Sequence, residues 1–167
     1  MPAHYARFLI GRQRSTAANR QLGLVLAFVA GAINAGGFLA VQQYTSHVTG
    51  MVSNVADQLV LGHLDLVGDG LVAVLAFICG AMVCAQLVHF ARRKNLSSEY
   101  ALPLLLEALL ILGFGLLGAR LAGFETLLVP VTVLLLCFIM GLQNAIVTKL
   151  SNAVIRTTHM TLSLIHI

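Results

Sequence analysis

Charge is what this chain has least of. Only 10% of its 167 residues are Asp, Glu, Lys or Arg, while 59% are hydrophobic, against about 25% charged in soluble domains. That balance excludes an ordinary soluble fold and gives an integral membrane protein. The chain also lacks the patterns of enzyme chemistry: it has no phosphate-binding loop, no Ser-His-Asp grouping and no zinc-protease helix. With no aqueous segment to house such chemistry, we expect neither an enzyme nor a cofactor. Its three cysteines, Cys79, Cys84 and Cys137, fall inside apolar stretches. They read as small core residues rather than as a disulfide pair, whose geometry is narrow.

What the chain does have is long apolar runs. A helix needs roughly 20 such residues to cross a hydrocarbon core of about 30 Å, and spans fit near residues 22–41, 70–90, 101–121 and 127–147. These runs show no period-2 alternation, which excludes the strands of a membrane barrel. The expected fold is an all-α, polytopic bundle. Its parts are a basic N-terminus over residues 1–21 and a membrane domain over 22–161.

The few basic residues sit in short flanks. Arg7, Arg12, Arg14 and Arg20 precede the first span, Arg92, Arg93 and Lys94 follow the second, and Lys149 and Arg156 follow the fourth. The connection over 42–69 holds no Lys or Arg, only Asp57, Asp65 and Asp69. A cytoplasmic N-terminus satisfies this distribution, so the net charge of +4 marks topology and not a nucleic-acid surface. A cleavable leader ending near Ala30-Gly31-Ala32 is the competing explanation of the first run. That run continues to Val41, long for a leader, and we expect it to remain as a span.

The connection over 42–69 is itself unusual. Val48, Met51, Val52, Val55 and Leu59 recur at partly helical spacing, which predicts a short interfacial or re-entrant helix. Gly50 is a candidate hinge where the chain leaves the first span, and Gly62 a candidate C-terminal stop.

A repeated motif organises the rest. Gly31-x-x-Asn34-Ala35 followed by Ser46-His47-x-Thr49 returns as Gly141-x-x-Asn144-Ala145 followed by Thr158-His159-x-Thr161. The two copies end different spans that cross in opposite directions. Inverted repeats of this kind are typical of transporters, whose substrate site lies near the midplane at helices loosened by Gly and polar residues. Asn34, Asn144 and Gln143 are therefore candidate substrate-pathway residues, with Gly31, Gly36, Gly37 and Gly141 as candidate hinges. Packing accounts for the glycines equally well, because small residues let helices approach closely.

Five segments carry a family resemblance: Asn34-Ala-Gly-Gly-Phe38-Leu, Tyr44-Thr-Ser-His47-Val-Thr-Gly50, Ser98-Glu-Tyr-Ala-Leu-Pro103, Met140-Gly-Leu-Gln-Asn-Ala145 and Arg156-Thr-Thr-His159. They resemble the YoaK-type family of bacterial inner-membrane proteins, a domain of unknown function. The resemblance spans about residues 20–161. It implies a bacterial inner-membrane protein of about six helices with no established substrate, of which this chain would hold the first four spans. In that family an Asp is common where Asn34 stands, and an Asn often follows the Thr-Gly where Met51 stands. An amide cannot titrate, which counts against a proton site at position 34. The second motif should also run on into further helix. Here it reads Thr161-Leu-Ser-Leu-Ile-His-Ile167, and Leu162–Ile167 matches the translated end of a transposon used in sequencing libraries. We expect residues 162–167 to be an adapter-derived tail on a truncated frame.

Single residues complete the expectations. Glu107 lies about two turns into the third span, where a carboxylate is costly unless it is paired, protonated or facing water. It joins the candidate pathway residues, unless Lys149 or Arg92 to Lys94 pair it at the interface. His47, Thr49, His159 and Thr161 are candidate gating or helix-capping residues, and Thr45, Ser46, Thr157 and Thr158 could cap as well. We expect no metal site, because no Cys or carboxylate accompanies the histidines at ligand spacing. The expected partners are the lipid bilayer and a small-molecule or ion substrate, with no nucleic acid; oligomerisation is left open. Transport is the expected function. A membrane scaffold or assembly protein is the alternative, and an intramembrane enzyme ranks last.

Overall fold

The computed structural model describes residues 16–41, 44–96, 98–118 and 125–151. Residues 1–15 of the basic N-terminal stretch, His159, Thr161 and the tail over 162–167 lie outside the described residues, while residues 16–21 of that stretch begin the first helix. Within them the chain forms α1 (Thr16–Val41), α2 (Val48–Leu61), α3 (Leu64–Arg93), α4 (Ala101–Gly118) and α5 (Glu125–Leu150), with no strand. Three stretches are long and apolar enough to cross a membrane: Ala17–Val41, Leu64–Arg93 and Val129–Leu150. Helix α4 is apolar but shorter. An all-α membrane bundle is thus the architecture, as lipid demands of backbone groups that have no water to bond.

Helix ends follow local chemistry. Gly62 stops α2 in the left-handed region, at φ 81°. Its N–H donates to Leu59 O (3.3 Å) while His63 N–H donates to Gln58 O (3.0 Å), the paired bonds of a Schellman stop. Asn95 stops α3 the same way at φ 50°, with Asn95 N–H on Arg92 O (3.1 Å) and Leu96 N–H on Ala91 O (3.0 Å). Asp65 lies in the first turn of α3 and Arg92 and Arg93 in its last, each sign matching the helix dipole. Pro130, inside α5, lacks the N–H that would close onto the carbonyl four residues earlier.

Helix α5 is the hub and packs against α1, α3 and α4. Cys84 and Val88 of α3 share a buried cluster with Leu142, Ile146 and Leu150 of α5, so these two helices run parallel. Helix α1 runs antiparallel to α5, because Gly37 meets Leu136 and Leu26 meets Gln143. The bundle therefore has a basic end, with Arg92–Lys94 and Lys149, and an acidic end, with Asp57, Asp65 and Asp69. At the basic end Arg92 bonds Glu99 across the α3–α4 turn (2.7 Å), and Tyr100 Oη donates to Lys149 O (3.2 Å).

The glycines expected to loosen helices do not interrupt them: α1 runs unbroken through Gly31, Gly36 and Gly37, and α5 through Gly141. Gly141 and Gly80 instead mark the closest approach of α3 and α5. A Cβ on Gly80 would collide with Phe138 O, and one on Gly141 with Phe77 O. Backbone lies directly on backbone there, the arrangement small residues permit in lipid. Gly31 has nothing within 4 Å of a built Cβ. We predict that Gly80→Ala and Gly141→Ala each destabilise the protein by about 1–3 kcal/mol through overpacking, while Gly31→Ala is tolerated. Thermal unfolding of purified variants in one detergent measures all three.

Candidate functional site

Helix α2 folds back beside the start of α3, steered by the tight stop at Gly62 and by Val55, whose methyl lies on Gly70. None of its residues is buried. Between α2, the last turn of α1, the first half of α3 and the first half of α5 lies a cavity of about 850 Å³ at the acidic end. Polar groups line its α2 side: His47, Asn54 and Gln58, with Tyr44, Thr45 and Asp69 from the adjoining chain. Apolar groups line the other: Val133, Leu134 and Cys137 of α5, beside Pro130. A space this large, mostly apolar with a few convergent polar groups, has the form of a small-molecule site.

The 44–47 segment ties the cavity to the first copy of the repeated motif. Ser46 Oγ donates to Asn34 Oδ1 (3.0 Å), which joins the Asn and His-Thr halves of that motif into one unit. Phe38 stacks on Tyr44 (4.7 Å between ring centres, 20° between planes), and Tyr44 meets His47 edge-on at 5.9 Å. Thr45 between them is only 1% exposed, and its Oγ1 has no hydrogen-bond partner. A buried hydroxyl left unpaired is costly, and this one lies beneath the cavity lining, with almost no accessible surface of its own.

Capping works differently from the expectation. His47 is the N-terminal boundary residue of α2, and no side chain caps that helix. Thr45 makes no bond, Thr49 is exposed, and Ser46, the best capping candidate by chemistry, turns back to Asn34. Gly50 stands within the first turn of α2.

The candidate pathway residues do not gather in one place. Gln143 is fully buried and donates from Nε2 to Leu26 O (2.9 Å), fastening α5 to α1. Asn144 is half-buried on α5, and its backbone carbonyl accepts from Thr148 (2.7 Å). Neither they nor Asn34 line the cavity. Along α3 and α5 the cavity walls come first (Leu66–Ala73 and Val129–Cys137). The Gly80–Gly141 contact follows, and the cluster around Cys84 and Ile146 comes last.

Glu107 is 3% exposed, and neither carboxylate oxygen has a hydrogen-bond partner. The expected partners are engaged elsewhere: Arg92 with Glu99, while Lys149 is exposed. Among the described residues no group of His, Cys, Asp and Glu could hold a metal ion.

The polar stripe of α2 escaped sequence reasoning, which followed the apolar positions of the same segment. Asn54 and Gln58 follow His47, already a candidate, at helical spacing and line the cavity with it and with the apolar Met51. The signal was present in the order of polar residues. We predict that Ser46→Ala and Asn34→Ala each lower stability by about 1 kcal/mol, and that the double variant costs little more than either. A double-mutant cycle on thermal stability checks this coupling.

No match was found among curated proteins or among solved structures. One family model, described as a protein of unknown function (DUF1275), matches residues 22–167, and the YoaK-type resemblance falls within that family. The chain belongs to the DUF1275 family.

Proposed function

We propose that this protein moves a small molecule or ion across a bacterial inner membrane. The observation that carries the proposal is the cavity at the acidic end, with the unpaired Thr45 hydroxyl beneath its lining. A pure scaffold has no need of such a space. In this reading the N-terminus is cytoplasmic, the acidic end faces outward and the cavity is an outward-facing vestibule. It is shut from the other side where α3 and α5 touch at Gly80 and Gly141. The antiparallel run of α1 and α5, which carry the two motif copies, is what an inverted repeat requires.

A scaffold or assembly role is the second reading, favoured by one observation. Gly141, a motif residue, lies against α3 as packing alone would have it.

Two measurements separate these readings. A reporter active only outside the cytoplasm is expected to work when fused after Gly62 and to fail when fused after Asn95; the reverse pattern would overturn the orientation. Solute uptake into proteoliposomes, screened over small metabolites and ions, is expected to find a flux. Thr45→Ala and Asn54→Ala should reduce that flux at least tenfold while protein abundance holds. A scaffold gives no flux with any solute, and its motif variants Asn34→Ala and Asn144→Ala change only abundance.

A further inference from the structure

Glu107 sits six residues into α4, about 9 Å along the helix from Ala101. It is buried where α4 packs on α3 and α5, beside the cluster of Cys84, Leu142 and Ile146 with Leu104 and Leu106 against it. Two charged or titratable groups come near from those neighbours. The Cys84 thiol of α3 lies within electrostatic range of both Glu107 and Lys149. Lys149 of α5 is exposed at the basic end, and neither oxygen of Glu107 has a hydrogen-bond partner. The remaining charges of the α3–α4 turn, Arg92 and Glu99, satisfy one another.

An ionised carboxylate in this position would have lost its water and gained no hydrogen bond and no countercharge. Such a group neutralises itself rather than remain charged. A sodium or potassium ion needs several oxygen ligands, as hard cations do, and among the described residues Glu107 belongs to no cluster of carboxylates, histidines and cysteines that could hold a metal ion. The ligand that fits one unpartnered carboxylate in an apolar setting is a proton.

We propose that Glu107 is a proton-binding site inside the membrane domain, a carboxylic acid held neutral between α3, α4 and α5. The site is separate from the cavity, beyond the Gly80–Gly141 contact. It does not depend on the transport reading, since a scaffold with this packing would carry the same proton.

Dicyclohexylcarbodiimide, an apolar reagent to which a protonated carboxyl adds across a C=N bond, its oxygen to the central carbon and its proton to nitrogen, tests the site on the full chain in bilayers. Near neutral pH, peptide mapping is expected to find the adduct on Glu107, and a water-soluble carbodiimide is expected to leave Glu107 untouched while it modifies Asp57. Glu107→Gln should abolish the adduct and remove one protonated-carboxyl band from the infrared difference spectrum. Labelling of Glu107 by the water-soluble reagent would overturn the proposal, because the carboxyl would then be in contact with water. If the apolar reagent fails to label, the infrared band decides. An ionised-carboxylate band assigned to Glu107 sinks the proposal, and a protonated one upholds it. Peptide mapping of the unsubstituted chain stands even if the Gln variant does not fold.

Discussion

The contact of α3 with α5 is the constraint on which the rest of this bundle depends. In lipid, apolar side chains gain nothing by leaving the solvent, so helices associate through close van der Waals fit and interhelical polar bonds. Gly80 and Gly141 supply that fit by removing both Cβ atoms at one crossing, so that Phe138 O and Phe77 O lie against bare Cα positions. The result is visible in the distribution of burial. The spanning part of α5 is 56% buried, against 28% for α1 and 22% for α3. Helix α5 packs against α1, α3 and α4, and most extensively against α3, so its position sets theirs.

Polar groups inside the bundle divide by what they hold. Gln143 and Ser46 spend their donors on interhelical or intersegment bonds, to Leu26 O and Asn34 Oδ1, and they act as fasteners. Thr45 and Glu107 are as deeply buried and hold nothing. The difference is physical, since an unmade hydrogen bond in a low dielectric costs more than a made one gains. A fold that needed only packing would have apolar residues in both positions. Thr45 belongs to the cavity lining and Glu107 does not, so the two proposals assign them different occupants: a solute for the first and a proton for the second.

The helical class, the membrane setting and the family were legible because composition and run length report directly on solvent. The stop at Gly62 was legible because φ above zero favours glycine. The equivalent stop at Asn95 was less visible, since asparagine signals many other turns. The start of α3 at Leu64 was hidden by Asp65 and Asp69, which lower hydropathy yet suit a helix N-terminus. The site was read least well. Sequence spacing paired Asn34 with Asn144 by repetition, whereas contact pairs Asn34 with Ser46 and turns Gln143 toward α1. Repetition reports ancestry and orientation; which residues meet is decided by helix rotation, and a motif alone does not carry that.

The two motif glycines make the same point from the opposite side. Gly141 is pressed against Phe77 of α3, while Gly31, its match in the first copy, has open space around it. On the inverted-repeat reading proposed above, each helix of one half has a counterpart in the other, and the contact of Gly141 with α3 would have a mirror contact at Gly31. Ala32 and Ala35 flank Gly31 on the same exposed stretch of α1, and a small-residue face of this kind lets a helix approach closely in lipid. On the transport reading, the α3–α5 crossing is then one of a pair. A rocking motion that opened one would close the other, and the cavity beside α5 would have its twin beside α1 on the basic side.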